Sequence, residues 1–349
     1  MIEYSPKGYE QLRNEVLDWL PKRIINAHVH TASGVRKEKE HLLDKSVLNK
    51  KLLLNGLSYN EKVYENVFPG RQISAVGFPL PFKKVGIEAD HVNRLLIKEM
   101  KYGVHGVMMA SLDVGLLEDL SKEAEKNGVE FRGLKFHPWL FGETPKEKIT
   151  IDGYFSDELL DFAERKNMTL ICELPNGLNK KDLRTLEKVH DNYSFRILIP
   201  HLGLNNLGFI TDKEEFARNL HASYDEFRDH FMELKEFDRV YLDTAMITDA
   251  RLLRASFEEF PDDRLLWGDD YPFCLTPKIS DYRPSKKEMG DALYRITNDI
   301  KGEDDWKYLY NIYQQVGMIK MVVEEGSFDK GFKDNLFSRN AENVYNLKQ

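Results

Sequence analysis

RIINAHVH, residues 23–30, is the stretch on which the reading of this chain turns. Apolar β-formers lead into two histidines one residue apart, His28 and His30. In a strand, residues i and i+2 point to the same face, so two imidazoles project side by side where a buried strand ends. That geometry can hold one metal ion. The pattern recurs along the chain: His137, His201 and the pair Asp269–Asp270 each end a later apolar run.

Outward from that stretch, short apolar runs alternate with longer amphipathic ones. The strand candidates are residues 23–29, 72–78, 104–110, 131–137, 168–174, 195–201, 239–244 and 264–269. Nearly continuous apolarity marks strands buried on both faces. Helical patterns occupy 89–101, 115–127, 156–166, 180–191, 212–236 and 247–259, with Ser156 and Asp212 placed as N-caps and Gly128 past a helix end. Eight strands alternating with helices predict a parallel sheet, and the count and length favour a closed (β/α)8 TIM barrel over an open doubly wound sheet. Residues 1–21 read as an N-terminal helix, 34–70 as an elaborated loop over the barrel mouth after strand 1, and 281–349 as a helical C-terminal part. The whole chain, 1–349, reads as one domain.

With 349 residues, 42% of them hydrophobic, the chain can bury a large core. Fifty basic residues against 58 acidic ones give a net charge of −8 with no basic stripe, which argues against a nucleic-acid partner. The two cysteines, Cys172 and Cys274, make neither a disulfide framework nor a cysteine-based zinc site. The first twenty residues lack the apolar centre of a signal peptide, and no run approaches the ~20 apolar residues of a membrane span. The expected compartment is the cytoplasm, and the expected partner is a small-molecule substrate. Homodimerisation stays open.

In a barrel of this kind catalytic groups sit at the C-terminal ends of the strands. That rule gathers His28 and His30 from strand 1, His137 from strand 4, Glu173 from strand 5, His201 from strand 6 and Asp269–Asp270 from strand 8. Imidazoles with a carboxylate suit zinc and neighbouring divalent ions, and an open coordination position would lower the pKa of water towards ~7. His137 is open to three readings: ligand, substrate contact or packed strand-end group. His201 is either a turn residue or a group that binds metal or moves a proton. The other histidines, His41, His91, His105, His190, His221 and His230, read as surface or packing groups. Trp139, Phe141, Tyr271 and Phe273, with Asn176 and Asn205, suggest an aromatic pocket with polar contacts, and Arg71 and Lys83 flank strand 2 as candidate carboxylate contacts.

HVH at the first strand end, PHLG at the sixth and WGDDYPF at the eighth resemble the amidohydrolase superfamily, in particular its amidohydrolase-2 group of TIM-barrel hydrolases and decarboxylases. The C-terminal FSRNAENVYNL is similar to that group's last helix. The resemblance spans about residues 22–347. It implies one divalent ion, zinc by preference, with His28 and His30 as paired ligands and His201 assisting catalysis or binding metal. It also implies that Asp270, the aspartate directly before Tyr-Pro, binds metal or takes a proton, with Asp269 the variable neighbour. Relatives often carry a ligand histidine at the end of strand 5, where this chain reads ICELPNG. Glu173 either takes its place or pairs with His137. Lys135 matches the position of a carboxylated, metal-bridging lysine in some relatives, or is an inward lysine paired to an acid. The implied activity is metal-dependent hydrolysis of a small amide, ester or lactone. Non-oxidative decarboxylation is the second reading, and a metal-poor binding protein without turnover the third.

Overall fold

The structure, a computed structural model, describes residues 5–32, 61–79, 89–137, 150–153, 155–174, 177–203, 228–229, 231–271, 274 and 306–347. Eight strands lie in sequence order in one sheet: β1 Arg23–Thr31, β2 Gln72–Pro79, β3 His105–Met109, β4 Gly133–Phe136, β5 Thr169–Cys172, β6 Ile197–Ile199, β7 Val240–Asp243 and β8 Leu265–Leu266. All neighbouring pairs are parallel. The ring closes where the amide of Ala27 donates to the Trp267 carbonyl at 3.0 Å, that of Asp270 to His28 at 3.1 Å and that of His30 to Tyr271 at 2.8 Å. The eight-stranded barrel expected from the sequence is therefore the fold. β1 and β2 extend one or two residues beyond the apolar runs that announced them, whereas β3 to β8 are shorter than theirs.

Helices fill the connections as the periodicity predicts. They are α1 Pro6–Trp19, α2 Glu61–Val67, α3 Ala89–Met100, α4 Val114–Lys126, α5 Asp157–Arg165, α6 Lys180–Asn192, α7 Ala250–Glu259 and α8 Trp306–Glu325. Ser156 caps α5, its hydroxyl accepting from Leu159 N at 3.4 Å. The expected helix over 212–236 lies largely outside the described residues, as does most of the 34–70 loop. The described part of that loop, residues 61–70 with α2, sends Tyr64 and Phe68 into the core.

Two apolar layers result. The outer one packs the helices on the strands. The inner one lies within the barrel and takes Ile25, Ala27, Val76, Val107, Ile171, Leu198 and Leu266 from the strands. Its N-terminal end is plugged by the last segment of the chain, whose Ala341, Val344, Tyr345 and Leu347 join the same cluster. Thr169 donates to the Val344 carbonyl at 2.5 Å, and Asn340 donates to the carbonyls of Asp262 and Leu265 at 2.7 Å each. That end is closed by side chains, so chemistry is left to the opposite mouth.

Candidate metal centre

The inward face that carries apolar side chains lower in the barrel carries polar ones above. On β2 the inward register runs Val76, Phe78; on β4 it reaches Lys135 and then His137; from β5 it runs Ile171, Glu173; from β8, Leu266 and then Asp270. Strict alternation on β1 would send His28 and His30 away from Ile25 and Ala27. The β1–β2 register shifts between Asn26 and Val29, and this bulge turns both imidazoles inward. Gly268 permits the close approach of β8 to β1, since a Cβ there would lie 2.6 Å from His28 Cβ.

His28 Nε2 lies 3.4 Å, and His30 Nε2 3.1 Å, from Asp270 Oδ1. One donor atom from each of the three residues falls within 4.8 Å of the others, and all three residues are buried. His28 Nδ1 faces Asp243 Oδ2 at 2.8 Å. A proton on Nδ1 shared with that carboxylate leaves the Nε2 lone pair directed at Asp270, as metal ligation requires. His28 Nε2 and Asp270 Oδ1 are buried polar atoms without a hydrogen bond among the described residues, a costly state that a shared cation would relieve. Two imidazoles and one carboxylate fit a divalent ion of the zinc type.

Burial opposes the charging of His28, but Asp243 and Asp270 outweigh it and raise its pKa to about 9. Burial and the Lys135 charge lower that of His30 to about 3. Burial would raise Asp270, yet the facing imidazoles hold it far below the usual carboxylate range.

Asp269 points the other way, as the alternation along WGDDYPF requires. It is fully buried, accepts from Tyr64 Oη at 2.6 Å and from Tyr271 N at 2.8 Å, and burial raises its pKa to about 6. It joins β1, β8 and α2 beneath the site. His201 sits beside the centre, its ring 4.9 Å from that of His28. Its Nδ1 lies 3.0 Å from the Ala245 carbonyl, which can only accept, so Nδ1 carries the proton and Nε2 is the basic nitrogen. Of seven described non-glycine residues with left-handed backbone, five, Ala32, His201, Leu202, Met246 and Asp270, follow the C-terminal ends of strands, while Asn167 precedes β5 and Asn346 lies in the plug. Each such non-glycine residue costs about 1–2 kcal/mol, and strain gathered at one mouth is typical of a functional site.

His137 and Glu173 form a second cluster. His137 Nε2 and Glu173 Oε2 are 2.9 Å apart, and Lys135 Nζ lies 3.7 Å from the same oxygen. Burial would raise Glu173, but His137 and Lys135 hold it well below its usual value. The structure thus pairs Glu173 with His137, one of the two readings the sequence left open, and both lie outside the three-residue group of His28, His30 and Asp270.

Two expected substrate contacts are corrected. Arg71 precedes β2, so it lies at the barrel end opposite the mouth, where its guanidinium donates to the Leu17 carbonyl. Tyr271 is fully buried with its ring 5.6 Å from that of Tyr64, a core residue under the site rather than a pocket wall. Trp139, Asn176, Phe141, Phe273, Asn205 and Lys83 lie outside the described residues. Sequence reasoning missed Asp243, although it ends an apolar strand in the same manner as the residues that were chosen. Beyond holding His28, its Oδ1 accepts the amides of His201 at 2.9 Å and Ala245 at 3.0 Å.

An eight-stranded parallel barrel with two histidines and an aspartate converging at the C-terminal mouth defines a class of barrel built to hold a metal. The family model described as amidohydrolase matches residues 130–347, well over half of the chain, and the chain belongs to that family. Its members are metal-dependent enzymes, hydrolases and decarboxylases. No curated protein matches in sequence. Among solved structures, the zinc-bound amidohydrolase from Burkholderia multivorans is similar at TM-score 0.54 and 14% identity, covering 93% of this chain and 99% of that one. The 5-carboxyvanillate decarboxylase from Sphingomonas paucimobilis is similar at TM-score 0.51 and 12% identity, covering 94% and 100%. At these identities the likeness is one of fold.

Proposed function

We propose that this protein is a divalent-metal-dependent hydrolase acting on an amide, ester or lactone of a small organic molecule. The observation that carries the reading is the convergence of His28, His30 and Asp270, with donor atoms within 4.8 Å of one another at the mouth of the barrel. A divalent ion held by these three residues would supply Lewis acidity and lower the pKa of a coordinated water. The protein's own residues do the rest. Asp243 keeps His28 in the ligating tautomer. Asp270, through the carboxylate oxygen the ion would not occupy, would take a proton from the attacking water, and His201 Nε2 would receive or return one to the leaving group. The inward packing of Phe78, whose ring lies 4.8 Å from each imidazole, limits the water that reaches them.

Plasma emission on the purified protein, followed by assays on lactones, esters, amides and aromatic acids, tests this. The reading requires about one equivalent of metal and water addition dependent on it. Metal-dependent release of carbon dioxide without water addition would replace hydrolysis by decarboxylation on the same residues. A protein that binds no metal and turns nothing over would be the binding relative.

A further inference from the structure

Two strand irregularities meet at one side chain, that of Asn26, beside the metal centre. Between Asn26 and Val29, β1 carries one residue more than β2 opposite it: Asn26 faces Ala75 and Val29 faces Gly77. Such an insertion takes a backbone group out of the ladder. The amide of His28, inside the bulge, donates to Asn26 Oδ1 at 3.3 Å. On the other edge of β1, the ladder to β8 passes from Ala27–Trp267 to His28–Asp270. The amide it skips, that of Asp269, donates to the same Oδ1 at 3.2 Å. The next two amides are also held, Asp270 N by the His28 carbonyl at 3.1 Å and Tyr271 N by Asp269 Oδ1 at 2.8 Å. Three successive anchors thus surround Asp270, whose backbone is left-handed. Asn26 itself is fully buried, and its amide has one orientation. Nδ2 donates to Tyr64 Oη at 2.8 Å, which leaves Oδ1 to the two amides, and Tyr64 Oη donates in turn to Asp269 Oδ2 at 2.6 Å.

We propose that Asn26, oriented by Tyr64, is a positioning residue of the metal centre. Its one side-chain oxygen fixes both the β1 bulge that turns His28 and His30 inward and the β8 turn that brings Asp270 to them. This rests on the reading of that centre as a metal site. Asn26 acts through the backbone. A buried amide without an acceptor is costly, so removal of Oδ1 forces the amides of His28 and Asp269 to find new partners. The three ligands are aimed by that backbone, and their donor atoms then leave the 4.8 Å span in which they lie. Asparagine suits the place because it accepts with one arm and donates with the other. Aspartate keeps the acceptor and loses only the donor to Tyr64; alanine loses both.

Zinc affinity by chelator competition, and the visible absorption of the cobalt-loaded protein, which reports ligand geometry, test the assignment on the full chain. Asn26→Ala should lower zinc affinity roughly 10–100-fold and change the cobalt spectrum. Asn26→Asp should recover most of that affinity, and Tyr64→Phe should lower it in the same direction by less. Asn93→Ala supplies the control, since Asn93 is an equally buried amide bonded to the backbone of Met109 on β3. It should lower the melting temperature and leave the cobalt spectrum unchanged. Unchanged affinity and spectrum in Asn26→Ala overturn the proposal, as does a loss in Asn26→Asp as large as in Asn26→Ala, or an equal change in Asn93→Ala. If Asn26→Ala does not fold, Tyr64→Phe decides, and unchanged affinity there overturns the proposal equally. A native protein that takes up neither zinc nor cobalt would count against the metal reading alone. The low-field proton resonance of His28 Nδ1–H, held by Asp243, then carries the test on metal-free protein. It should shift or vanish in Asn26→Ala and Tyr64→Phe, and its persistence unshifted in both overturns the positioning role.

Discussion

Asp243→Asn separates a residue that positions a ligand from one that only fills space. In the native protein Asp243 Oδ2 faces His28 Nδ1 at 2.8 Å, while Oδ1 accepts the amides of His201 and Ala245 at 2.9 and 3.0 Å. Asparagine has nearly the same shape and keeps one oxygen for the two amides. Its other arm is an NH2, which can only donate. Facing that group, His28 Nδ1 must present its lone pair, so the ring proton moves to Nε2, the nitrogen that would bind metal. Ligation then requires breaking the new hydrogen bond or losing the imidazole. Disturbance of a ligand's partner of this kind costs roughly 10–100-fold in metal affinity, or about 1.4–2.8 kcal/mol. Zinc competition against a chromophoric chelator measures it, and circular dichroism checks that the variant is folded. A folded Asp243→Asn protein with unchanged zinc affinity would refute the role given to Asp243 and the tautomer assigned to His28.

Other outcomes follow from the same geometry. His28→Ala/His30→Ala should abolish bound metal by plasma emission while the barrel stays folded, because the two apolar layers do not include the ion. Asp270→Asn should lower turnover by roughly 10²–10⁴-fold, whereas Asp269→Asn, whose carboxylate faces Tyr64 instead, should lower it far less and act chiefly on the melting temperature. Tyr345→Ala removes a fully buried ring from the plug and should cost about 3–5 kcal/mol in urea unfolding, the range for large aromatic truncations. Glu173 is held well below its usual pKa, so its charged form stabilises the fold fully above the unfolded value of about 4.3 and loses that contribution as pH falls through the lower folded value. The stability gap between the native protein and Glu173→Gln should therefore be full near neutral pH and shrink in acid, and a gap that widens in acid would show the sign to be wrong.

Most of the barrel is determined by local sequence. Strands buried on both faces must be apolar throughout, and the helices between them must be amphipathic, so their order and number can be read without coordinates. His28, His30 and Asp270 are legible for the same reason: each stands where such a run ends, and in a parallel barrel all run ends meet at one mouth. The alternation through WGDDYPF also separates Asp270 from Asp269. What only the tertiary structure decided depends on neighbours far apart in the chain. The bulge between Asn26 and Val29 is a mismatch between two strands, invisible in either alone, yet it turns both imidazoles inward. Asp243 becomes a partner of His28 only because closure of the ring brings β7 across to β1, 215 residues away in sequence. Between the two readings of Glu173, substitute ligand or partner of His137, position alone could not choose; the inward register of β4 sets His137 and Lys135 against it, and opposite charges in a buried site pair at the shortest reach. Arg71 shows the converse: it was chosen for its charge beside a strand, and the direction of that strand carries it to the end where no site lies.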